Sequence, residues 1–95
     1  MTKKYYVYII GNNKPVLYIG VTSNLVKRIY THKKNFVKGF SYKYKLHKLL
    51  YYEVFDRPYE AIKREKILKN WHRKWKLNLI REMNPDLKDL YEDII

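Results

Sequence analysis

Two tyrosines, Tyr8 and Tyr18, stand ten residues apart, and Arg28 follows after the same interval. A phenol can orient water or phosphate, and as phenolate it can act as a base. Its unperturbed pKa near 10 makes it a poor base at neutral pH unless cations lower it. Arg28 is such a cation. His32 lies one helical turn beyond Arg28, on the same face. Ala61, Glu65, Leu68 and His72 recur at helical spacing, so Glu65 falls in an apolar stripe. An inward carboxylate is costly unless a divalent metal or a neighbouring cation satisfies it. The residues alone leave both open. Each also has a plainer reading: tyrosines as packing, Arg28 as a solvated charge, His32 as a part-buried polar residue, Glu65 as half of a salt bridge.

The elements that must position these groups follow from pattern. Residues 5–10 and 16–20 are short β-rich runs joined by Gly11-Asn12-Asn13-Lys14-Pro15, a cluster of turn formers. A five-residue loop would set Ile10 opposite Val16 and Tyr8 opposite Tyr18, on one sheet face. Thr22, Ser23 and Asn24 are N-cap candidates for a helix to about Lys34, with Leu25, Ile29 and Phe36 inward. Residues 35–46 read as a basic, aromatic loop containing Tyr42, Lys43, Tyr44 and Lys45, and 47–55 as a third strand. Asp56-Arg57-Pro58 starts a helix over 59–70. A second helix over 71–83 has Trp71, Trp75 and Leu79 on one stripe, and Asn84-Pro85 leads to a last helix, 86–93. The order ββαβααα gives one α/β (α+β) domain, residues 1–95, with a small three-stranded, mainly antiparallel sheet flanked by helices.

Lys and Arg number 21 against 9 Asp and Glu, a net charge of +12. Such an excess favours a polyanion, most simply nucleic acid, bound with strong salt dependence. The basic residues are spread over all elements rather than one amphipathic helix, which weakens a membrane-surface reading. Lys27, Lys33, Lys66 and Lys69 on the helices, and Lys43, Tyr44 and Lys45 in the loop, are read as nucleic-acid contacts: cations for phosphates, rings for stacking. Asp86, Asp89, Glu92 and Asp93 make the tail acidic and set it away from an anionic partner. There is no Cys, hence no disulfide and no thiolate site. No signal peptide is recognised, and no apolar run approaches the roughly 18 residues of a membrane span. The expectation is a soluble, cytoplasmic protein, monomeric by default.

Taken together, these residues resemble the GIY-YIG nuclease superfamily, in its small stand-alone bacterial form. Tyr6-Val7-Tyr8 stands where the family has its first tripeptide, and Tyr18-Ile19-Gly20 is the second intact. Arg28 and His32 follow at workable spacing. Ala61-Ile62-Lys63-Arg64-Glu65-Lys66 resembles the metal-binding helix, and Asn84-Pro85 with Asp89-Leu90 resembles the tail of the stand-alone members. The first tripeptide lacks its Gly. Val21, Thr22 and Ser23 replace a Lys that some members carry there, and Asn70, Asn78 and Asn84 compete for the Asn that many place after the Glu. The resemblance implies a metal-dependent endonuclease acting on DNA, branched or damaged, in repair or recombination. In it a Tyr activates water, Arg28 stabilises the phosphoryl group, and Glu65 holds one Mg²⁺ or Mn²⁺. Tyr8 is the expected base, Tyr18 the residue that orients water or phosphate, and His32 the support for phosphate or leaving group. Gly20 belongs to the motif structurally. The alternatives are a nucleic-acid-binding module with little or no cleavage, and an interaction protein whose basicity is incidental.

Overall fold

The chain was analysed as a computed structural model, which describes residues 3–12, 16–34 and 46–95. β1, Tyr5–Gly11, is rich in aromatic and β-branched residues and is buried along most of its length. That suits a central strand covered on both faces. β2, Leu17–Thr22, and β3, Lys48–Phe55, flank it antiparallel in the order β2-β1-β3. The helices are α1, Leu25–Lys33, α2, Pro58–Lys69, α3, Arg73–Met83, and α4, Tyr91–Ile94. The observed order is the expected ββαβααα, an α+β fold.

The hairpin register differs from the expectation. Tyr8 pairs with Gly20, Ile10 with Tyr18 and Gly11 with Leu17. Asn12 explains the difference: its Oδ1 accepts the Val16 amide at 2.7 Å, which holds Val16 in the loop and starts the pairing at Gly11. Because the slip is two residues, Tyr8 and Tyr18 keep a common face. They are diagonal rather than opposed.

Alternation along β1 divides the core. Val7 and Ile9 pack with Ile19, Leu50, Ala61, Leu68 and Ile80, beneath α2 and α3. Tyr8 and Ile10 pack with Leu25, Ile29, Leu49 and Leu90, beneath α1 and the tail. Each fully buried aliphatic side chain contributes roughly 1.5–3 kcal/mol. Between Ile9 and Ile10 the β1–β3 register shifts, leaving Leu50 as the bulged residue.

Of the three cap candidates, Asn24 caps α1, its Oδ1 accepting from the Lys27 amide at 3.1 Å. Residues 35–45 of the basic loop, Phe36 among them, lie outside the described residues, while Leu46 is buried in the core. The helix expected over 86–93 contracts to Tyr91–Ile94, because residues 84–90 are tied to β3 instead. Buried Asn84 donates to the Leu50 and Lys88 carbonyls and accepts from the Lys88 amide. Leu87 takes a left-handed φ of 52° inside that turn. Asp89 accepts from the Leu49 and Tyr91 amides and pairs with Lys33, while the Leu90 amide donates to the Leu49 carbonyl at 2.8 Å. The tail thus occupies polar groups of an edge strand that would otherwise be open to pairing. No helix among the described residues is long and apolar enough to cross a membrane.

Candidate functional site

Gly20 creates the space for the site. It faces Tyr8 across the hairpin, and the phenol lies directly over it. A Cβ there would stand 2.5 Å from Tyr8 Cζ and 2.9 Å from Cε1. Tyr8 is 0% exposed, and its hydroxyl meets two groups of α1. Arg28 Nε–H donates to it at 3.3 Å, and His32 Nε2 lies 3.2 Å away. Tyr18 completes a ring cluster, with centroids 6.5 Å from Tyr8 and 6.0 Å from His32. Unlike Tyr8, it keeps part of its surface open.

Burial, then the positive charges of Arg28 and His47, push the His32 pKa down to about 4. The imidazole is therefore neutral at pH 7. The Tyr8 oxygen accepts from Arg28, and the tautomer of the neutral imidazole sets the direction of its bond with His32. Burial raises the Tyr8 pKa above 10 and outweighs the Arg28 hydrogen bond and charge, with Tyr18 and Glu65 adding to the rise. The positive field was expected to favour a phenolate; at Tyr8 burial wins, and the resting group is a neutral phenol. Arg28 is held more firmly in its charged form by the same hydrogen bond.

Glu65 is carried by α2, which packs on the other face of the sheet. Its neighbour Arg64 is clamped to β3, with Nε and Nη2 donating to the two Glu53 oxygens at 2.9 and 3.0 Å. Tyr51 also donates to Glu53, and its phenol pKa is pushed up, first by burial and then by that carboxylate. With Arg64 turned to β3, the next residue points about 100° round the helix. Glu65 lies within electrostatic reach of Tyr8, with its side chain 17% exposed. Lys69, one turn later, is its ion-pair partner at 3.4 Å. His72, expected on the same stripe, is exposed at the N-cap of α3 because α2 ends at Lys69.

The arrangement offers one carboxylate, and no group of three or more His, Cys, Asp or Glu suited to a metal occurs among the described residues. That donor set fits a magnesium-like ion, which keeps several waters and takes few protein carboxylates. It does not fit a zinc centre.

Tyr8, Tyr18, Gly20, Arg28 and His32 thus meet, and Glu65 lies within electrostatic reach of Tyr8. Lys27 and Lys66 are exposed, and Lys69 is half-exposed beside Glu65. Lys33 is not available in the same way: it pairs with Asp89 and donates to the His47 carbonyl at 2.9 Å. Lys43, Tyr44 and Lys45 lie outside the described residues. Of the three asparagines, buried Asn84 is committed to the tail, while Asn70 and Asn78 are exposed. The sequence reading missed a groove of about 320 Å³ beside Arg28, lined by Thr22, Ser23, Asn24, Lys27 and Thr31 as well. Its signal was present as the hydroxyl run read only as a helix cap.

The sequence profile of the GIY-YIG catalytic domain matches residues 4–78. The chain is 44% identical over 70 residues to UPF0213 protein SpyM50708 of Streptococcus pyogenes serotype M5, covering 72% of this chain and 74% of that one. It is 35% identical over 79 residues to UPF0213 protein SSP2268 of Staphylococcus saprophyticus, covering 83% and 96%. The solution NMR structure of UPF0213 protein BH0048 from Bacillus halodurans shares the fold, with a TM-score of 0.58 at 22% identity over 90% of this chain and 92% of that one. With its motif residues gathered at one site and that profile spanning most of its length, the chain belongs to the GIY-YIG catalytic-domain family.

Proposed function

We propose that the protein is a metal-dependent endonuclease that hydrolyses DNA phosphodiester bonds. The observation that carries this reading is the Arg28–Tyr8–His32 hydrogen-bonded set over Gly20. Hydrolysis needs an activated water, a cationic cradle for the phosphoryl oxygens and charge relief on the leaving oxygen. Arg28 and Lys27 share one groove and supply the cradle; Lys27 fills the role of the Lys missing after Tyr18-Ile19-Gly20.

The two phenols divide the remaining work in the reverse of the expected order. A base must reach the water it deprotonates. Tyr18 keeps part of its surface open, so it is the phenol placed to receive the water proton. The resulting hydroxide forms the new P–O bond as the bond to the leaving oxygen breaks. Tyr8, buried and neutral, holds Arg28 and His32 in place. Glu65 would hold one hydrated Mg²⁺ or Mn²⁺, releasing Lys69 to the phosphate backbone. A divalent ion bound there neutralises charge on the phosphoryl oxygens.

A second reading has a specific observation behind it. Glu65 already has a cationic partner in Lys69, so a module that binds nucleic acid and cleaves little is the competing account. Plasmid, single-stranded, flap and junction DNA incubated with and without Mg²⁺ or Mn²⁺ separate the two. The nuclease reading expects metal-dependent product that disappears in Glu65→Ala while DNA binding persists. It also expects Tyr18→Phe to lose about 10²–10⁴-fold in rate, more than Tyr8→Phe. Binding without product in any condition supports the module instead.

A further inference from the structure

The catalytic site leaves a second aromatic cluster unused. Trp71 and Trp75 meet edge to face with centroids 6.0 Å apart, and His72 meets Trp75 likewise at 5.4 Å. Arg64 covers Trp71, its guanidinium carbon 5.4 Å from the ring centroid, and Trp71 packs against the core. Trp75 is 54% exposed, a high value for the largest apolar side chain. Trp71, Trp75, Asn78, Leu79 and Glu82 line a groove of about 250 Å³. On α3, Trp75, Asn78, Leu79 and Glu82 follow helical spacing and form one stripe. Lys74 and Arg81 run along one side of it and Lys76 along the other.

We propose that this groove is a stacking site for an unpaired nucleobase of a single-stranded stretch of the nucleic acid, resting on the reading of the substrate above. An indole face accepts any base, and cations on both flanks suit the backbone on either side. Glu82 repels phosphate, so the occupant of the groove itself is a base rather than the backbone. Its carboxylate accepts, and the Asn78 amide both donates and accepts, which matches the polar edge of a base. The position is also reachable. From Glu65 to Lys69 the helix rises about 6 Å, and Trp71 lies two residues past its last residue. Exposed Lys66 and half-exposed Lys69 lie along that path.

The two tryptophans of the chain make the test direct. Intrinsic fluorescence of the full chain is titrated, without metal, with a single-stranded oligodeoxynucleotide, the blunt duplex of the same length, and an abasic oligomer with the same backbone charge. The base-bearing single strand is expected to quench and to bind more tightly than the abasic one. Trp75→Ala is expected to weaken its binding by ~5- to ~150-fold and Trp75→Phe by less. Equal affinity for base-bearing and abasic strands in the wild type overturns the proposal without reliance on any variant, as does unchanged affinity in a folded Trp75→Ala. Glu65→Ala separates this site from the catalytic reading, since it is expected to keep the quenching whether or not the wild type cleaves.

Discussion

Gly20 owes its role to the side chain it lacks. The Tyr8 ring occupies the volume a Cβ would need, and that ring is fixed by Arg28 and His32. Gly20→Ala is expected to push the phenol aside and break both hydrogen bonds. Overpacking of this kind costs roughly 1–3 kcal/mol, read as a lower denaturant midpoint, and cleavage should fall with it. An alanine variant with full stability and full activity would contradict this account of the motif. At this scale the sequence was partly legible. Tyr18-Ile19-Gly20, Arg28 and Glu65 stand out once their order along the chain is set beside the family pattern. The partnership of His32 with Tyr8 does not, because it depends on how α1 lies over the sheet. Nor does the division between the phenols: both are tyrosines in strands, and only packing makes one buried and the other open.

Among the elements, periodicity and breakers were enough to order every strand and helix described. The misses have tertiary causes. The hairpin register turns on one side-chain bond, from Val16 to Asn12, that no alternation pattern encodes. The last helix was drawn too long because residues 86–90 look helical locally, whereas Asn84 and Asp89 hold them against β3. The stripe of Trp71, Trp75 and Leu79 was legible, but the exposure of Trp75 was not. The tail staple itself is testable. Asn84 makes three hydrogen bonds from a buried position. Asn84→Ala leaves the Leu50 and Lys88 carbonyls without that partner, at a cost of about 1–3 kcal/mol. Urea unfolding should show a lower midpoint at unchanged slope. An unaltered midpoint would mean that the tail adds little to the fold.

At the scale of the whole molecule, charge and pH govern behaviour. The net charge of +12 predicts nucleic-acid binding that weakens steeply with salt. Stability should depend on pH through His32. Its folded pKa of about 4 lies below the ordinary imidazole value of 6.5, so the unfolded state binds more protons between them. Stability therefore rises with pH in that window and is lost as pH falls from about 6.5 to about 4. Below that, Asp89 adds to the loss. Burial pushes its carboxyl up, but Lys33 and the Tyr91 and Leu49 amides outweigh it and hold the pKa below the usual value. Urea midpoints of the wild type and His32→Asn between pH 7 and pH 4.5 check this; the variant should lose the His32 share of the slope. The most direct test of the central claim is the initial rate of Mg²⁺- or Mn²⁺-dependent DNA cleavage by the wild type and by Glu65→Ala at matched DNA occupancy. The account predicts cleavage by the wild type and a loss of about 10²-fold or more in the variant. Equal rates for the two proteins, or no cleavage by the wild type on any of the four DNA forms, would contradict it.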